Sequence, residues 1–223
     1  MAGASTGGAS RAAGSSHPSN AALRALDRRD PILGRARRRL APFPVLPDPA
    51  GGQSHFHALG RAIIYQQLAG AAARTIHDRV VALTPGKRFP AADQIVSLSD
   101  ARLRGAGLSR GKLAALRDLS ERSLDGRVRL RSIARCTDEE IIDQLVEVRG
   151  IGRWTAQMFL MFRLARLDVL APDDLGLREG LKRLDGLDER PTPKALDARG
   201  ELWAPLRSVA SWVLWRASEE PRS

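Results

Sequence analysis

The sequence predicts an all-α protein, and three observations carry that expectation. Apolar residues recur at three- and four-residue spacing along each ordered stretch, the period of a helix with one buried face. Ser, Thr or Asp stands in the capping position before several of these stretches, and Gly or Pro breaks the chain between them. The one run that reads as extended is the short Val169-Leu170-Ala171-Pro172. At 223 residues the chain can build one globular unit with a sizeable core, or two lobes that share a cleft.

From the N-terminus, residues 1–20 are small, polar and rich in Gly, Ser and Ala, and are expected to form a disordered tail. They contain no apolar run of the kind a secretory signal needs. Between Asn20 and Pro49 the pattern fits one or two short helices, with Asp30-Pro31 a natural start for the second, followed by a proline-rich connector. The run Arg35, Arg37, Arg38, Arg39 reads as a solvated helix face. From Ser54 to Leu83 two helices are expected, turning near Gln66 to Gly70. Residues 93–124 read as two helices separated by Gly105-Ala106-Gly107-Leu108-Ser109, with Ser109 as N-cap; Lys112 and Arg110 are either phosphate contacts or solvated surface.

The densest signal lies from Thr137 to Leu184. Thr137 with Glu140 three residues later forms a capping box ahead of Ile141, Ile142, Leu145 and Val146 at helical spacing. Gly150 and Gly152 then force a tight turn, and Arg153 opens a second helix so apolar that burial is expected. Two glycines permit close approach of an outside partner, and the amides at the start of the second helix suit an anion such as a DNA phosphate; a glycine turn made for packing alone is the plainer alternative. Downstream, Asp173 and Asp174 follow Pro172. One aspartate is explained as a helix N-cap, which leaves the other free for chemistry. The last stretch, from Arg199 to Ala217, reads as a closing helix carrying Trp203, Trp212 and Trp215.

Composition narrows the partners. Thirty-six Lys and Arg against 25 Asp and Glu give a net charge of +11, which points to a polyanion. A membrane surface is disfavoured, since there is no apolar run of spanning length and no long basic amphipathic segment. A single cysteine, Cys136, excludes intrachain disulfides and a four-cysteine iron–sulfur cluster, and a reducing cytoplasm is the simplest location. His55 and His57 lack a third nearby ligand, so a polar helix start explains them better than a catalytic metal.

The order LVEVRGIGRWTAQMF, a short extended VLAP and then DDLG resembles the helix-hairpin-helix (HhH-GPD) DNA glycosylase superfamily, in its alkylated-base (3-methyladenine) branch. RAIIYQQLA and GLSRGKLAAL are similar to two further segments of that family, so the likeness runs from about Phe56 to Leu214. The resemblance implies two helical lobes flanking a cleft, one of about residues 56–165 and one of about 21–55 plus 166–223. Its partner is expected to be double-stranded DNA containing alkylated bases, met by a monomer that requires no cofactor, in the cytoplasm and nucleoid or in a nucleus. By resemblance Asp174 is catalytic, with Trp154, Met158, Trp203 and Asp173 about the base, and Asp173 in the capping or pocket-structuring role. Gln67 and Leu68 form the wedge that fills the gap left by a flipped nucleotide. Gly150, Gly152 and Thr155 meet phosphate, and the carbonyls of Val146, Val148 and Gly150 are expected to hold a Na⁺ or K⁺ ion. The sequence departs from the family at Ala69, where a serine is usual, and at Met158, where some relatives place an aromatic. Bifunctional members carry a lysine where Trp154 stands, so water is the expected nucleophile and no strand cleavage follows. Two other readings remain open at this point: a hairpin DNA-binding module without catalysis, and a glycosylase for oxidised or mismatched bases.

Overall fold

The structure is a computed structural model that describes residues 17–44, 46 and 53–221. Residues 1–16 of the expected tail lie outside the described residues. Residues 17–20, expected within the tail, are ordered instead: Pro18 is buried and Ser19 caps the first helix, its side chain accepting from the Ala22 amide.

Among the described residues there are twelve α-helices and no strand. The first two, α1 (Asn20–Arg29) and α2 (Pro31–Arg39), are split by Asp30, whose side chain accepts from the Leu33 amide while Pro31 opens the next helix. The arginine run on α2 is partly paired rather than wholly solvated: Arg37 and Arg38 clasp Asp27, and Arg39 pairs with Glu220. Next come α3 (His55–Tyr65) and α4 (Gly70–Val81), joined by the turn 66–69, exposed from Gln67 on. The first helix expected after residue 93 is two short ones, α5 (Ala92–Ser97) and α6 (Asp100–Gly105), because Ser99 starts a new cap on the Arg102 amide. Ser109 caps α7 (Arg110–Leu124).

The capping box of Thr137 and Glu140 is formed and starts α8 (Asp138–Val146). The turn at Gly150 (φ +78°) leads into α9 (Arg153–Met158), which continues as a π-helical turn over Phe159–Arg163. Asp174 then caps α10 (Leu175–Asp185), ended by Gly186 in the left-handed region. The closing stretch is broken, since Pro205 lacks an amide donor: α11 (Pro193–Gly200) runs into a 3₁₀ turn at Glu201–Trp203, and α12 (Arg207–Glu219) begins after the break.

Two hydrophobic cores result. One gathers residues from Phe56 to Val169, the other joins Leu26–Leu46 to Leu170–Leu214. The chain crosses between them at Val169-Leu170, and Met158, Phe162 and Trp215 pack against both. This crossing is pinned. Ser208 Oγ, fully buried, donates to the Arg166 carbonyl and accepts from the Val169 amide, and Gln157 Nε2 donates to the Leu170 carbonyl at 2.9 Å. Asp174 follows four residues later, so its position is set by both lobes.

Candidate active site

Asp174 is held by three donors. Its Oδ1 accepts from the Leu177 amide at 2.8 Å and from Trp215 Nε1 at 3.0 Å, and its Oδ2 accepts from Trp154 Nε1 at 2.7 Å. Each source lies on a different element: α10 supplies its own first turn, α12 supplies Trp215, and α9 supplies Trp154. A carboxylate has about four lone-pair directions, so Oδ1 is filled while Oδ2 keeps one direction open. Oδ2 is therefore the atom able to address a substrate.

Close helix packing makes this arrangement possible. A Cβ built on Gly176 would stand 3.0 Å from Trp215 Cδ1 and 3.1 Å from Asp174 Oδ1. One turn on, a Cβ on Gly180 would fall 2.0 Å from the Leu214 carbonyl oxygen. These glycines let α12 lie against α10 and bring Trp215 to the cap. Phe162 stacks on the other side of Trp215, ring centroids 5.7 Å apart and 26° from coplanar. Met158 and Phe162 also line a cavity of about 260 Å³ with Leu59, Ala62, Arg61 and Arg163.

The expected site residues divide accordingly. Asp174 and Trp154 meet directly, and Met158 lies half-buried at the seam of the two cores. Trp154 is 47% exposed rather than buried, because it stands on the outer side of the first turn of α9. Trp203 does not line the cleft: it is 0% exposed, inside the second core, with its Nε1 donating to Asp30 at 2.7 Å. Trp215 is the C-terminal tryptophan that reaches Asp174 instead. The capping assignment is also reversed, since Asp174 caps α10 while exposed Asp173 borders a separate 550 Å³ cavity with Asp138, Asp168, Lys194 and Arg207.

On the outer face, Gln67 and Leu68 are exposed, and Gln67 has φ +55°, unusual for a residue with a side chain. Ala69 gives α4 no side-chain cap. Gly150 and Gly152 are exposed, and Gly152 is the N-cap of α9. Thr155 turns its side chain inward at 8% exposure, which leaves only its first-turn amide as a group for phosphate. Lys112 is structural: its Nζ donates to the Ile64 carbonyl at 2.5 Å at the end of α3, while Arg110 stays exposed. Of the three carbonyls expected to hold a cation, Val148 accepts from the Ile151 amide and Gly150 from Gln66 Nε2, each with a second lone pair left over.

His55 and His57 lie in the first turn of α3, where His55 meets Phe159 edge-on and His57 joins a half-buried ring stack with His77. His57 Nε2 lies 2.9 Å from His77 Nε2, and Phe89 stacks on both rings. Burial, with help from His77, Arg61 and Arg163, pushes His57 down to about 4. Among the described residues no group of three or more His, Cys, Asp or Glu is placed to hold a metal ion, and no helix is long and apolar enough to cross a membrane.

Residues 61–205 match the model of the HhH-GPD superfamily base excision DNA repair proteins. The chain belongs to that superfamily. This HhH-GPD chain is 34% identical over 165 residues to DNA-3-methyladenine glycosylase 1 of Schizosaccharomyces pombe, covering 74% of the chain and 72% of the relative. A solved DNA-3-methyladenine glycosidase from Bacillus halodurans superposes with a TM-score of 0.81 at 33% identity, covering 89% of each chain. The 3-methyladenine DNA glycosylase of S. pombe in complex with abasic DNA superposes at 0.74 with 30% identity, covering 90% of this chain and 97% of that one.

Sequence reasoning named Asp174 and Trp154 but missed Trp215 and Phe162. A signal for Trp215 was present in Gly176 and Gly180, spaced four apart on one face of the helix that Asp174 caps. Such a face admits a close helix neighbour, and the tryptophan nearest the cap on that neighbour follows.

Proposed function

We propose that the protein is a monofunctional DNA glycosylase that flips alkylated purines such as 3-methyladenine and 7-methylguanine out of double-stranded DNA and hydrolyses their N-glycosidic bond. The observation that carries this reading is the Asp174 carboxylate, fixed by two indole N–H groups at the seam between the lobes with one lone pair of Oδ2 open. The names of the relatives give the substrate class its support.

In the proposed reaction the C1′–N bond breaks and its electron pair leaves with the base. An N3- or N7-alkylated purine is already cationic, so it departs neutral without an acid. The sugar is left with oxocarbenium character, which the Asp174 charge stabilises. Water adds to C1′ and releases its proton, and no amine from the protein attacks, because Trp154 occupies the place where a nucleophilic lysine would stand. Exposed Trp154 offers an indole face that favours a cationic ring through stacking and cation–π attraction. Gly152 and the amides of the first turn of α9 meet a strand phosphate.

Asp174→Asn is the direct test. Asn is nearly as good an N-cap as Asp, so the fold should persist. One oxygen becomes an NH₂ facing an indole N–H, and the negative charge is gone. Base release from methylated DNA should fall by at least about two orders of magnitude with DNA affinity near that of the unsubstituted protein. Equal release by the two proteins would remove Asp174 from the chemistry. Cationic 7-methylguanine should also be released faster than 8-oxoguanine, and the reverse order would contradict the substrate class.

A further inference from the structure

The turn after α3 and the hairpin before α9 lie 84 residues apart in sequence, yet one side chain joins them. Gln66 Nε2 donates to the Gly150 carbonyl at 2.9 Å. Both segments also lean on α7 from behind: Lys112 Nζ holds the Ile64 carbonyl at 2.5 Å, and Asp118 Oδ2 accepts from the Arg149 amide at 2.7 Å. Gln66 closes the frame from the front. It is the C-cap of α3, with its backbone already out of the helix at φ −53° and ψ 132°. The next residue, Gln67, is held at φ +55°, a conformation that persists in a non-glycine residue when its surroundings impose it. The far side of the turn has backbone bonds only, because Ala69 cannot cap α4 with a side chain.

From this geometry we propose that Gln66 is a positioning residue that sets the wedge turn against the hairpin. The inference rests on the glycosylase reading, in which the hairpin grips a strand and Gln67 and Leu68 fill the gap left by the flipped nucleotide. A plain surface hydrogen bond would add a little stability and nothing else. A strut between two DNA-contacting segments has a different consequence: once the hairpin is docked, Gln67 already stands at the right height. Loss of the strut leaves grip and chemistry intact and makes flipping less favourable. The deficit should shrink when the target base is poorly paired, because less wedge support is then needed to hold it out.

The test uses Gln66→Met, which keeps the side chain's length and removes the N–H donor without adding a charge beside the hairpin, with Gln66→Ala as a second variant should the first fail to fold. Single-turnover release of 7-methylguanine is measured from a matched duplex and from one with the lesion opposite a mismatched adenine, alongside affinity for undamaged DNA. The expected result is about a tenfold loss in the matched duplex, at most about a threefold loss in the mismatched one, and unchanged affinity for undamaged DNA. Release equal to the unsubstituted protein in the matched duplex, an equal deficit in both duplexes, or a parallel loss of undamaged-DNA binding overturns the proposal. If the unsubstituted protein releases no base at all, the glycosylase reading itself fails and takes this inference with it.

Discussion

At the scale of single residues, the site is defined by which donors meet one carboxylate. Hydrogen bonds to a charged group contribute about 1.5–3 kcal/mol, roughly ten- to a hundredfold if felt in the transition state. Trp215→Phe keeps the stack on Phe162 and deletes the N–H to Oδ1, so base release should drop by about that factor while DNA affinity holds. Unchanged release would mean that Trp215 serves packing alone. The aspartate was legible in the sequence because a proline, two acids and a helical pattern in a row have few explanations. The choice among tryptophans was not. Trp203 and Trp215 lie in the same apolar stretch, and only the break at Pro205 and the buried partner Asp30 send the first into the core. The break is written in Pro205 itself, whereas the Asp30 partner, 173 residues away, has no local sequence signature.

At the scale of elements, helix ends were legible and helix contacts were not. Ser54, Ser109, Thr137 and the Asp30-Pro31 pair cap helices as their residue types dictate, since a side-chain oxygen satisfies an amide within three residues. The contact between α10 and α12 depends on residues over thirty positions apart. It brings two backbones so close that Gly180→Ala should cost more than about 3 kcal/mol, beyond ordinary overpacking, because the new methyl meets a carbonyl that cannot rotate away. A melting experiment checks this, and a variant as stable as the parent would show that the helices separate freely. Gly152 is the contrasting case. A Cβ there would meet nothing within 4 Å and the backbone stays at φ −93°, so Gly152→Ala should fold normally. Its DNA affinity should fall alike for damaged and undamaged sequences if the turn grips phosphate. A loss restricted to damaged DNA would place Gly152 at the base instead.

At the scale of the whole molecule, the net charge of +11 foretold a polyanion, while the division into two cores follows from packing that composition does not encode. The same packing buries groups whose titration sets the pH range of the fold. Burial is the chief cause that lowers His57 from 6.5 to about 4, reinforced by His77, Arg61 and Arg163. Between those values the unfolded chain takes up a proton that the folded one refuses, so stability rises with pH across that window and falls on acidification. Burial alone would raise Asp30 and Asp118. Bonds from Trp203, Leu33 and Arg199 to the first, and from Arg149 and Arg122 to the second, outweigh it and hold both below 3.8. Their stabilising part is complete above 3.8 and is lost as pH falls through their lower folded values. Asp138 runs the other way, raised mainly by burial, and partly offsets the loss in acid. The melting temperature should therefore be level above about pH 7, decline from about 6.5 towards 4, and decline further below that. His57→Gln has no proton to gain, so it should make the first decline shallower, leaving the part due to His55, which burial also lowers, and leave the second unchanged. A melting temperature independent of pH between 7 and 4, or an equal decline in the variant, would show that the His57–His77 stack does not control it.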